Sequence, residues 1–143
     1  MEIKEIPNDD FMQLAELNAK MYSDINSEIN EFQATNTLIH FINNGPQFVS
    51  IGLYDETTLM GFVSGHALNE HSFIFTGIYL EIKDTKDTKN LIEYCFNYVE
   101  EKGFKFWEVD ATNDNIASIV EKYGAEKQYT RYKKAIQKEQ KDG

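Results

Sequence analysis

Cysteine, proline, tryptophan and arginine are nearly missing from this chain: its 143 residues hold 1 Cys, 2 Pro and 1 Trp, and Arg131 is the lone arginine. A single cysteine, Cys95, permits neither an intrachain disulfide nor a cysteine-rich zinc site, and it fits a reducing compartment. Positive charge is scarce as well. With 14 basic against 24 acidic side chains the formal charge is -10, which repels nucleic acid and anionic lipid at long range. No run approaches the roughly 18 apolar residues of a membrane span, and MEIKEIPNDD has neither a basic leader nor an apolar core. These absences predict a soluble, cytoplasmic protein with no nucleic-acid or membrane partner. One further absence is local: YLEIKDTKDTKN, Tyr79 to Asn90, contains no glycine.

What is present suits one compact domain. A chain that is 41% hydrophobic and 13% aromatic can build a real core at this length, but not two comfortable ones. The expected domain covers residues 1–136, with 137–143 as a polar tail. Met1 to Ile6 alternates as a short strand, broken by Pro7 before an acidic helix start at Asp9 and Asp10. Phe11, Leu14, Ala15, Leu17 and Met21 share one helix face. Ser27 opens a second helical segment with Ile29, Phe32, Leu38, Ile39 and Ile42, ended by Gly45 and Pro46. Phe48–Tyr54, Leu59–Leu68 and Ser72–Ile82 read as an antiparallel meander with turns at DETT and NEH.

A third helix, placed from near Asn90, carries Leu91, Ile92, Cys95, Phe96 and Val99 and stops at Gly103. FKFWEVDA is then a strand, and Ile116, Ile119, Val120 and Tyr123 mark a last helix closed by Gly124. Tyr129 to Ile136 is a candidate final strand. The order β-α-α-β-β-β-α-β-α-β predicts an α/β fold, a mixed sheet of six to seven strands with four helices over its two faces.

This order, with the phrases IGLYDETTLMGFVSGH and EEKGFKFWEVDATNDNIASIVEKYGA, resembles the GNAT family of N-acetyltransferases over nearly the whole chain. Gly61 falls where that family's hairpin strand restarts, and Asn113 matches the asparagine after its fifth strand. The resemblance implies acetyl-CoA as co-substrate and no metal. In the family the fourth and fifth strands splay, and the pantetheine arm lies in the gap, bonded to main chain. Ile78, Tyr79 and Leu80 would line it.

The family's phosphate loop, an arginine followed by two glycine positions, has no counterpart here. A glycine-rich turn lets amides close on a phosphate because no Cβ intervenes. Lys86, Thr88, Lys89 and Asn90 are the substitute donors, and Asp84 and Asp87 beside them repel a phosphate. Val120 replaces the tyrosine with which many relatives protonate the departing thiolate, leaving Tyr123, one turn on, as candidate acid. Candidate bases are Glu108 and Asp110, which alternate onto one face of their strand, and Glu70 with His71 at a turn. His40, His66 and His71 lack metal-ligand spacing, and Cys95, on an apolar helix face, is read as packing.

Two functions remain open at this point. One is transfer of an acetyl or other acyl group to a primary amine, for which an acidic protein favours a cationic acceptor such as a polyamine, an aminoglycoside or a protein amino terminus. The other is a binding or interaction module that keeps the fold and has lost the cofactor. The oligomeric state is open, a homodimer being compatible with either.

Overall fold

The computed structural model describes residues 1–25, 28–81, 84–111, 114–128, 132 and 134. Strand β1 (Glu2–Glu5) leads through a short 3-10 turn (Asn8–Asp10) into helices α1 (Phe11–Ile25) and α2 (Glu31–Asn44). Strands β2 (Val49–Asp55), β3 (Thr58–Ala67) and β4 (Ser72–Leu80) follow, then α3 (Thr85–Glu101), β5 (Phe106–Val109) and α4 (Asp114–Lys122).

Local chemistry sets these boundaries. Asn30 caps α2, its Oδ1 accepting the Gln33 amide at 2.8 Å while Gln33 Oε1 accepts the Asn30 amide at 3.0 Å. This reciprocal box satisfies two amides that a helix start leaves without partners, and it puts the start of α2 at Glu31 rather than at Ser27, which lies outside the described residues. Gly103 and Gly124 close α3 and α4 with positive φ, 90° and 89°, a region glycine enters without a Cβ clash.

The sheet runs in the order β1-β2-β3-β4-β5, the first three pairings antiparallel and the last parallel. The expected meander and mixed sheet are therefore present, with five strands among the described residues instead of six to seven. The sixth strand was expected over 129–136, of which only Tyr132 and Lys134 are described, neither in a strand. The tail 137–143 lies outside the described residues.

Helices cover both faces. On one, Leu91, Ile92, Cys95, Phe96 and Val99 of α3, with Ile116 and Val120 of α4, pack on Val49, Ile51, Leu53, Val63, Phe73 and Phe75. On the other, Leu14, Leu17 and Met21 of α1, with Leu38 of α2, pack on Tyr54, Leu59 and Phe62. Buried Asn18 joins the two helices there by donating Nδ2 to the Ala34 carbonyl at 3.0 Å. Each such apolar side chain contributes about 1.5–3 kcal/mol on full burial, and the two layers hold the sheet rigid between them.

Candidate active site

β4 and β5 pair for only part of their length. Their register runs from Ser72 opposite Phe106 to Phe75 opposite Val109. Among the described residues the last link is the Asp110 amide, which donates to the Phe75 carbonyl at 3.2 Å. β4 continues through Thr76–Leu80, and no described strand pairs with it on that side.

A bulge coincides with the parting. Gly65 faces Phe75 while Ser64 faces Gly77, so Thr76 is an extra residue on β4, and an extra residue bends and twists its strand. A Cβ on Gly65 would stand 2.3 Å from the Ile74 carbonyl oxygen and 2.6 Å from the Phe73 ring, so this crossing requires glycine.

Past the bulge, the Glu81 amide donates to the Met60 carbonyl at 2.8 Å, which fixes the alternation of the ladder. Tyr79 and Phe62 direct their main-chain groups at each other, whereas those of Ile78 and Leu80 point away from β3, toward the opening. The expected trio thus divides. Ile78 and Leu80 offer main chain to the gap; Tyr79 is bonded into β3 and packs its ring on the α1 side. Behind the opening is an apolar hollow of about 10 Å³, bordered by Phe75, Ile78, Ile92, Cys95, Val109 and Val120. Burial pushes the Cys95 thiol well above its ordinary range, so it stays protonated and serves as packing.

Asp110 sits at the apex of the wedge, half-buried. Trp107 and Val109 turn their side chains to the α3 face, so Glu108 and Asp110 take the opposite face; Glu108 is exposed and Asp110 is nearer the gap. Asn113 lies outside the described residues. Glu70 and His71 form an exposed pair at 3.2 Å, and the His71 carbonyl accepts the Lys105 and Phe106 amides, tying the start of β5 to β4 at the closed end of the wedge.

The beginning of α3 corrects the sequence reading. The helix starts at Thr85, not near Asn90, because Asp84 caps it. Asp84 Oδ1 accepts the Lys86 amide at 2.8 Å and the Asp87 amide at 3.3 Å. Its main-chain oxygen accepts the Thr88 amide at 3.0 Å and the Thr88 hydroxyl at 2.9 Å. Of the four candidate phosphate donors, Thr88 is buried and committed in this way, and Lys89 lies 3.8 Å from Glu93 along the helix. Lys86 and Asn90 are exposed. Main chain along Ile78–Leu80 suits an extended pantetheine arm; the α3 start, whose free amides already hold a carboxylate, does not suit a diphosphate.

Tyr123 lies in a different place. It lines an open cleft of about 360 Å³ with Glu93, Phe96, Asn97, Glu100 and Trp107. Its ring meets Phe96 edge-on at 5.2 Å, Phe96 stacks on Trp107 at 3.9 Å, and its hydroxyl donates to Glu93. Val120, not Tyr123, borders the hollow beneath Ile78.

One cluster had no signal in the sequence. At the open end of β4, Lys20 of α1 pairs with Glu81, and the Tyr79 hydroxyl reaches Glu81 at 3.4 Å. Burial and then the charges of Glu81 and Asp24 raise the Tyr79 pKa. Lys20 and Glu81 are 61 positions apart, so only the fold joins them. No group of His, Cys, Asp and Glu among the described residues could hold a metal ion, and no helix among them is long and apolar enough to cross a membrane.

No family model and no curated protein matches the chain in sequence. Solved structures match its fold. A structure described as a probable acetyltransferase superposes with TM-score 0.73 at 16% identity, covering 97% of this chain and 100% of the other. A ribosomal-protein-alanine N-acetyltransferase from Brucella melitensis biovar Abortus 2308 gives 0.70 at 19% identity, covering 95% and 100%. A protein from Bacillus halodurans C-125 described as a transcriptional regulator gives 0.71 at 13% identity, covering 94% and 99%. The chain has the GNAT acetyltransferase fold.

Proposed function

We propose that the protein is an N-acyltransferase that moves an acetyl or related acyl group from a pantetheine thioester, as in acetyl-CoA, to a primary amine. The observation that carries this reading is the parting of β4 and β5 beyond the Phe75–Asp110 link. A thin, extended arm can pair with the edge at Ile78 and Leu80 as a further strand would, and main-chain pairing of this kind needs no particular side chain. Held there, the thioester carbonyl faces the amides of that edge, which stabilise negative charge on its oxygen.

Asp110, at the apex, accepts a proton from the incoming ammonium. The amine nitrogen bonds to the carbonyl carbon, the C–S bond breaks, and sulfur leaves with the electron pair; the second nitrogen proton passes through water to that sulfur, giving a neutral amide and a thiol, and Asp110 returns its proton to solvent. Alignment of the two reactants supplies much of the acceleration. The formal charge of -10 favours a cationic acceptor. A thermal-shift titration with acetyl-CoA and longer acyl-CoAs, paired with a thiol-release assay against polyamines, aminoglycosides and peptides with free amino termini, tests the proposal. Neither a shift nor thiol release at millimolar donor would reject it.

The second reading, a module that keeps the fold without the cofactor, draws on the Asp84 cap and the small volume of the hollow. A CoA molecule copurifying with the protein would rule it out.

A further inference from the structure

Resting on that proposed activity, we infer that the acyl donor is recognised through its pantetheine thioester alone, and that Asp84 closes the start of α3 to the diphosphate of a nucleotide-bearing donor. The amides of the first turn of a helix are its natural anion-binding groups, since they point outward without partners and lie at the positive end of the helix dipole. In α3 two of them, from Lys86 and Asp87, already donate to Asp84 Oδ1, and the Thr88 amide makes the first bond of the helix itself, to the Asp84 main-chain oxygen.

The chain thus carries its own anion where an external one would bind. A diphosphate would have to displace a carboxylate tethered to the same turn, and would meet the charges of Asp84 and Asp87 while doing so. No glycine between Gly77 and Gly103 offers a second cradle. The neighbouring cations do not compensate, because Lys86 is exposed to water and Lys89 leans to Glu93 at 3.8 Å. The Ile78–Leu80 edge is untouched by these contacts. Donor affinity therefore resides in the arm and the acyl group, and the nucleotide adds nothing.

The experiment compares acetyl-CoA with S-acetylpantetheine, which lacks the diphosphate and nucleotide, as donors to one amine. The inference expects kcat/KM values within about threefold of each other. Acetyl-CoA preferred by about 100-fold or more, the weight of two charge-assisted hydrogen bonds, would overturn the inference and leave the transferase reading standing. Transfer from neither donor would overturn both. Asp84→Gly frees the two amides, and its preference for acetyl-CoA should rise about tenfold or more; an unchanged preference in a folded variant counts against the inference. A readout independent of turnover is titration of the wild-type protein with 3′-phosphoadenosine 5′-diphosphate, followed by amide NMR. Unmoved Lys86 and Asp87 signals support the closed helix start, and saturable movement of both overturns it.

Discussion

The Asp110 amide reaches the Phe75 carbonyl at 3.2 Å, and that bond is the last between β4 and the β5 segment among the described residues. Everything proposed about chemistry follows from what lies past it: an edge of main chain on one strand, a carboxylate at the apex, and a gap between.

Asp110→Asn keeps the size of the side chain and removes the base. Its kcat/KM should fall by about 10²–10⁴, the usual weight of general base catalysis, with the unfolding free energy within about 0.5 kcal/mol of wild type. Thiol-release kinetics beside thermal melts separate these effects. Undiminished kcat/KM would remove Asp110 from the mechanism and return Glu108 to consideration.

Gly65→Ala places a Cβ 2.3 Å from the Ile74 carbonyl oxygen, a contact only backbone movement relieves. Overpacking of this kind costs about 1–3 kcal/mol, and the movement falls on the bulge that parts the strands. Urea unfolding should show the loss of stability. A variant as stable as wild type would mean that the bulge has slack the present geometry does not contain.

Asp84→Ala should destabilise the fold by about 0.5–2 kcal/mol, since a helix loses its capping acceptor. Asp84→Asn, which retains an oxygen in place, should stay within a few tenths of a kcal/mol. Equal midpoints for Ala and wild type in chemical unfolding would show the cap to be energetically idle.

Tyr98 and Tyr123 are among the tyrosines that should ionise late. Burial and then a hydrogen bond to Glu93 push Tyr123 up to about 12, and burial with a hydrogen bond to Glu5 does the same for Tyr98. A folded-state pKa above the ordinary value of about 10 means the folded protein holds the phenol proton more tightly. The resulting stabilisation is complete below pH 10 or so and is lost as pH rises toward about 12. Phenolate absorbance during alkaline titration measures this directly, with Tyr123→Phe deleting one late transition. Tyr123 ionising at its ordinary value would contradict the Glu93 contact. Because its hydroxyl is held in the outer cleft, the same variant should retain kcat/KM within about threefold.

Much of the architecture was legible from spacing. Leu14, Leu17 and Met21 did mark one face of α1, and Gly103 and Gly124 did end helices, because periodicity and positive φ are properties of short segments. Boundaries failed where a side chain decided them. The run Thr85–Asn90 reads as polar loop, yet the Asp84 carboxylate turns it into the first turns of α3. A helix placed from its apolar residues alone begins too late for that reason.

Asp110 was legible as a carboxylate on one strand face; its place at the apex was not. Tyr123 was legible as one turn beyond Val120, but a helix end and a neighbouring helix brought its hydroxyl to Glu93.

Composition and pattern by themselves determined the acidic surface, the exclusion of disulfides, the meander and the helical faces, all of which depend on residue type and near neighbours in sequence. Tertiary structure decided where β4 and β5 part, which main-chain groups face the opening, and that Lys20 meets Glu81. Those relations span distant segments, and only the closing of the sheet between its two helical layers brings such groups within a few ångströms.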